Sequence, residues 1–156
     1  MWPLNRSFGL VARLLRPDVK VFAIDPHEGI TGALGQGLNH GQPTFHRFCE
    51  NMKAAGVCGQ IEARVCKSWE IDWQQPIGLL FIDGLHDYSS VARDFRHFEP
   101  WVNGGLVAFH DYGNDFPGVR MFVTELLDSG RYIAVERIRS LFVLRNIRLS
   151  DPVHTQ

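Results

Sequence analysis

Three short apolar runs in this chain each stop at a group that can ligate or titrate: "VFAID" at Asp25, "LLFID" at Asp83, and "LVAFHD" at His110 and Asp111. Apolar runs without alternation fit strands buried on both faces, which is the habit of parallel sheets. Between them, apolar residues recur at helical spacing, as in Phe45, Phe48 and Met52, then Val91, Phe95, Phe98 and Trp101, then Val119, Phe122, Val123, Leu126 and Leu127. Strand and helix alternating in this way predict an α/β fold, a mostly parallel sheet with helices on both faces. "RYIAVERI" and "SLFVLRNI" close the chain as an antiparallel strand pair at one edge. In such sheets ligands gather outside the carboxyl ends of the strands. Three strands finishing in acid or imidazole are therefore expected to share one rim.

The rest of the chain narrows the field. Its 156 residues suit one domain over 1–156, with 147–156 as a flexible tail. Sixteen basic residues are scattered among seventeen acidic ones, so no patch points to nucleic acid. No apolar run approaches the roughly 20 residues of a membrane span, and "MWPLNRSFGL" carries no signal-peptide pattern. Cys49, Cys58 and Cys66 are odd in number and show no C-x-x-C spacing. They read as reduced thiols of a cytoplasmic protein, forming neither a disulfide framework nor a zinc knuckle.

Asp83, His110 and Asp111 are hard or borderline donors without thiolate company, a set that suits magnesium or manganese and, through the histidine, iron or zinc. Either aspartate taken alone is better read as the cap of the helix that follows it. The three together, at adjacent strand ends, are better read as a site. His86 lies in the turn three residues past Asp83, where an imidazole suits a general base for a hydroxyl; a surface turn histidine is the competing reading. Asp25 stands where acids in nucleotide-binding half-sheets accept ribose hydroxyls, or where one would simply close a turn before Pro26. "GALGQG" has no strand immediately before it and no lysine after it, so it reads as a flexible loop, not a phosphate cradle. Trp69 follows a strand end and is better placed than Trp73 to flank a flat ligand. Phe95, Phe98, Trp101 and Phe122 belong to the core.

With these residues in place, "FIDGLHDYSSVARDFRHFEPWVNGGLVAFHDYGNDFPGV" resembles the core of the class I S-adenosylmethionine-dependent methyltransferases. The matching branch runs FIDG-x-H-x-Y, then D-F, then GG-x-x-x-FHD, then PGV. "KVFAIDPHEG", "PTFHRFCENMKAAGV" and the strand into "CKSWEI" extend the likeness from about Arg6 to Asn146. The resemblance implies a Rossmann-like fold with S-adenosylmethionine and a divalent metal, magnesium or manganese, as cofactors, and a small-molecule or sugar hydroxyl as acceptor. It implies that Asp25 binds the ribose, that Ser68 and Trp69 line the adenine side, and that Asp83 serves both cofactor and metal. Asp83, His110 and Asp111 match the metal positions of metal-dependent O-methyltransferases, and His86 stands where catechol-type relatives carry a lysine base.

The sequence departs from that pattern twice. Leu85 occupies a position that is acidic in many members. In the family a first strand and a glycine-rich loop also precede the first helix, whereas here Asn5, Arg6 and Ser7 already align with the end of that loop. A sheet without its middle strand would strand backbone groups on both neighbours, at about 1–3 kcal/mol for each one buried. A longer parent chain, a strand from a partner, or a sheet that closes over the gap are the three accounts. Beside the enzyme stand two alternatives: an inactive binding or dimerising domain, with association of identical chains left open, and a metal-dependent hydrolase using Asp83, His86, His110 and Asp111.

Overall fold

The computed structural model describes residues 19–147; the helix expected around Phe8–Leu15, the loop remnant at Asn5–Ser7 and the tail beyond 147 lie outside them. Among the described residues eight strands and three α-helices follow one another in chain order. The strands are β1 (Val21–Ile24), β2 (Ile30–Ala33), β3 (Gly37–His40), β4 (Ile61–Arg64), β5 (Leu79–Ile82), β6 (Leu106–Phe109), β7 (Tyr132–Ile138) and β8 (Leu141–Asn146). The helices are α1 (Phe45–Ala55), α2 (Tyr88–Phe98) and α3 (Pro117–Asp128). The described residues divide between two compact units, the first holding β1, α1 and β4 and the second holding everything from Asp72 onward together with 31–38.

In the first unit β1 and β4 pair in parallel, Val21 opposite Ile61 through Ile24 opposite Arg64. Helix α1 lays Phe48 and Met52 on this ladder, where they pack with Ala23 and Val57. Gly56 ends the helix in the left-handed conformation (φ 69°), its N–H returning to the Lys53 carbonyl and the Val57 N–H to the Met52 carbonyl, as the sequence position of that glycine leads one to expect.

In the second unit the strand order is β5-β6-β8-β7, with β5 and β6 parallel and the last two antiparallel to their neighbours. Among the described residues β1 has one strand neighbour, β4, and β5 has one, β6. Ile82, Val107, Phe109, Leu144 and Tyr132 form a core with Val91, Ala92 and Phe95 of α2 and Val119, Phe122, Val123 and Leu126 of α3. Phe95 is its hub, with ring centroids 5.3 Å from Phe122, 5.7 Å from Tyr132 and 6.0 Å from Phe109. Phe95, Phe98 and Phe122 are buried, as their helical spacing predicts, whereas Trp101 is only partly buried.

The stretch read as a flexible loop is ordered. Residues Ile30–Ala33 and Gly37–His40 form a hairpin closed by the Gln36 N–H donating to the Ala33 carbonyl at 3.1 Å. Glycine permits it: Gly32 has φ 110°, and a Cβ there would meet the Gly37 carbonyl oxygen at 2.5 Å. Such close backbone approach, not flexibility, accounts for this glycine.

Candidate active site

The β5–β6 ladder aligns Ile82 with Phe109 and continues one step further, the His110 N–H donating to the Ile82 carbonyl at 3.0 Å. Asp83 and His110 therefore leave neighbouring strands side by side. Asp111 follows with φ 55°, a left-handed backbone that aspartate tolerates better than most residues. Tyr112 is then pinned by its N–H to the Ser140 carbonyl at 2.8 Å and by ring contact with Phe142. Left-handed backbone in non-glycine residues gathers at functional sites because surrounding packing must hold it there.

The side chains converge. His110 Nδ1 lies 3.1 Å from Asp83 Oδ1 and 3.2 Å from Asp111 Oδ2, and His86 Nε2 lies 3.2 Å from Asp111 Oδ2 and 4.0 Å from Asp83 Oδ1. Both imidazoles thus face the same two carboxylate oxygens. All four side chains are largely shielded, from 13% exposed for His86 to 30% for His110. Although near the oxygens, His110 Nδ1 lies off hydrogen-bond geometry and is buried, and His86 Nδ1 is buried with no partner among the described residues. Contact with the Asp83 carboxylate lifts the His110 pKa to about 9, against burial, which lowers it. Burial alone would raise the Asp83 pKa, but contacts with His110 and His86 outweigh it and bring it below its ordinary value.

Helix capping falls elsewhere. Asp87 is the N-cap of α2, its Oδ1 accepting from the Ser90 N–H at 2.9 Å and from Ser89 Oγ at 2.6 Å; Phe116 precedes α3. Asp83 and Asp111, each better read singly as a cap, cap neither helix and are left for the cluster. Asp87 carried the signal for its role in the sequence, an aspartate directly before a helical run with serines at the second and third helical positions.

His86 is fixed from three sides. Its N–H donates to the Gly32 carbonyl of the hairpin at 2.9 Å, and its ring sits 4.3 Å from that of Phe116. Below it, Gly118 packs so closely that a Cβ would lie 2.7 Å from the His86 carbonyl oxygen and 2.4 Å from the Tyr88 nitrogen. The contributions of Phe116 and Gly118 are invisible to strand-end reasoning, since both come from the start of α3. His86 is therefore no free surface turn residue.

Asp25, Ser68 and Trp69 belong to the first unit. The β1–β4 ladder extends to Asp25, whose N–H reaches the Arg64 carbonyl at 3.2 Å. Its Oδ1 accepts from the His27 N–H at 2.6 Å, so the turn-closing role is real. The residue is nonetheless exposed. His27, itself at φ 55°, is buried, with Nδ1 2.9 Å from Thr44 Oγ1 and its ring against Phe45 and Phe48. Ser68 and Trp69 form a tight turn held by the Lys67 N–H donating to Glu70 Oε2 at 2.9 Å. Trp69 is 40% exposed, with Lys67 Nζ 5.7 Å above its ring.

Asp83, His86 and Asp111 each offer one donor atom, all within 4.8 Å of one another. Two carboxylates and an imidazole brought this close are the donor types that first-row divalent cations take, and ligands at right angles on bonds of roughly 2.1 Å stand about 3 Å apart. The residues fit a cation.

Comparison with known proteins bears on the family and the fold. The profile of the family described as "Methyltransferase domain" matches residues 6–112. An O-methyltransferase structure from Klebsiella pneumoniae is 16% identical, with TM-score 0.63 over 90% of this chain and 67% of that one. The O-methyltransferase NovP is 19% identical, with TM-score 0.62 over 89% of this chain and 64% of its own. An rRNA methylase from Streptococcus thermophilus is 14% identical, with TM-score 0.57 over 95% and 98%. The chain thus spans about two thirds of the length of those two O-methyltransferases. At such identities the likeness is one of fold. No helix among the described residues is long and apolar enough to cross a membrane. Taken with the residue pattern running from Asp25 to Asp111, the profile match places the chain in the methyltransferase-domain family, among the class I S-adenosylmethionine-dependent enzymes.

Proposed function

We propose that this chain is the catalytic domain of a divalent-metal-assisted methyltransferase that moves a methyl group from S-adenosylmethionine to a hydroxyl of a small molecule or sugar. The observation carrying the reading is the convergence of Asp83, His86, His110 and Asp111 where the β5 and β6 strands end. Acid oxygens shared by two imidazoles fit a centre that binds a cation.

In this reading Asp83 and Asp111 hold the cation together with an imidazole, and the other imidazole stands ready for the acceptor's proton. When bound, the cation lowers the pKa of a coordinated hydroxyl, and S-adenosylmethionine provides a methyl group open to in-line attack. The chain's own work is positional. Asp25, with Oδ1 committed to its turn, offers its other oxygen to ribose hydroxyls. The half-exposed Trp69 ring, beside Ser68, offers a face to adenine. Two rigid strand ends hold the acids while the acceptor is brought within reach of the methyl carbon, and proximity of this kind accounts for most of the catalysis in such transfers.

The test is a thermal-shift and calorimetric titration with S-adenosylhomocysteine. Saturation with a rise in melting temperature is expected, and Asp25→Ala should lose it. The reading falls if millimolar ligand neither shifts the melting temperature nor gives heat.

A further inference from the structure

We propose that His86 is a nitrogen ligand of the cation and not the base that removes the acceptor's proton. The site therefore prefers borderline first-row ions such as manganese to magnesium. The inference rests on the methyltransferase reading above and assigns one residue of the same site.

Direction carries the argument. A base must aim a nitrogen at the acceptor, but His86 Nε2 aims at Asp111 Oδ2, 3.2 Å away, and Asp83 Oδ1, 4.0 Å away. His110 Nδ1 faces the same oxygens at 3.2 and 3.1 Å, yet the donor atoms that gather within 4.8 Å of one another are those of Asp83, His86 and Asp111. Those separations lie between the roughly 3 Å of two ligands at right angles and the roughly 4 Å of opposed ones, on bonds of about 2.1 Å. The other ring nitrogen, Nδ1, is buried and reaches no described polar group, so it offers an acceptor nothing either.

Position supports the same role. Ligating side chains need a rigid surround, and His86 is held by the Gly32 carbonyl, the Phe116 ring and the close approach of Gly118. Two carboxylates alone would suit magnesium, which takes oxygen ligands and keeps several waters. An imidazole nitrogen moves the preference toward manganese, iron, cobalt or zinc.

The experiment is MnCl2 titration of the full chain, read by electron paramagnetic resonance with electron-spin-echo detection of nitrogen coupling. Parallel titrations compete MgCl2 against manganese. The wild-type chain should show directly coordinated imidazole nitrogen. In His86→Gln and His86→Asn that coupling should vanish and manganese affinity fall about 10-fold or more, in keeping with lost metal-site contacts, while magnesium affinity moves less than about 3-fold. His110→Gln should keep the coupling. Circular dichroism melts confirm that each variant folds.

An oxygen-only manganese signal in the wild-type chain overturns the inference. So does coupling that survives in both His86 variants, or that disappears only in His110→Gln. Failure to bind manganese at all overturns it too. S-adenosylhomocysteine calorimetry on the same samples separates these failures from failure of the methyltransferase reading, because cofactor binding can persist while the nitrogen signal is absent.

Discussion

Gly118→Ala is the substitution whose effect the packing fixes most tightly. Its Cβ would lie 2.4 Å from the Tyr88 nitrogen, 2.7 Å from the His86 carbonyl oxygen and 2.8 Å from the Asp87 carbonyl carbon. All three are backbone atoms, so no rotamer change relieves the overlap. Ordinary contact needs about 3.5 Å, and the turn between β5 and α2 must retreat by roughly 1 Å. Two terms oppose each other. Alanine favours a helix interior by up to about 1 kcal/mol over glycine, less at the second helical position. Overpacking costs typically about 1–3 kcal/mol. The overpacking wins, and for a chain of this size the melting temperature should fall by about 2–8 °C. A larger effect is expected at the site. Binding constellations tolerate errors of about 0.5 Å, and the displaced turn carries His86, so manganese affinity should drop at least about 10-fold. The control is Gly113→Ala, which has nothing within 4 Å of its Cβ and no positive φ; it should stay within about 0.5 kcal/mol of wild type. Differential scanning fluorimetry and manganese titration read both variants. An unchanged melting temperature with unchanged manganese affinity in Gly118→Ala would refute the claim that α3 and the His86 turn are locked together.

Three further outcomes follow from the same contacts. Phe95→Ala removes the hub of the second unit, fully buried against three aromatic rings, and should cost about 3–5 kcal/mol in urea denaturation. Asp87→Ala removes acceptors for Ser90, Ser89 and the Leu34 N–H and should cost about 1 kcal/mol. The pKa of Asp87 stands at about 2 because these bonds outweigh the raising effect of burial; its contribution is present above pH 3.8 and fades as pH falls toward 2, which an acid-denaturation series on both proteins measures. For the metal-free chain, the raised His110 pKa gives stability that is complete below 6.5 and lost as pH rises through about 9. The lowered Asp83 pKa gives stability present above 3.8 and lost in more acid solution. Melting temperature should therefore decline from pH 6.5 to 9.5, and His110→Gln should flatten that decline; a flat wild-type profile would count against the ion pair.

What the sequence made legible was the part governed by period and termination. An apolar run ending in an acid names both a strand and its carboxyl end, and parallel register then brings Asp83 beside His110 without further information. Hairpin β2–β3 escaped because its strands are four residues long and contain glycines, and β-branched residues mark β2 alone, at Ile30 and Thr31. What reveals it is a three-dimensional contact, the Gly32–Gly37 approach. Capping competed with the site for Asp83 and Asp111 taken singly, because strand-end acids and helix caps share composition. The decisive detail is distance to the helix, which favours Asp87 at the residue before Tyr88.

Direction was the remaining gap, and it decides chemistry. His86 was legible as a titratable group three residues past Asp83, but spacing cannot say which ring nitrogen faces what. That depends on the Phe116 ring, which comes from beyond β6, and on the hairpin carbonyl that accepts from the His86 N–H. Asp111 poses the same problem. Its carboxylate meets both imidazoles where the backbone turns left-handed at φ 55°, and Tyr112 is held to the β7–β8 turn immediately afterwards. An anchor nearly thirty residues downstream thus fixes the chain next to a ligand candidate. A histidine's place in a motif therefore gives its availability, whereas its role as base or ligand is set by elements that the motif does not contain.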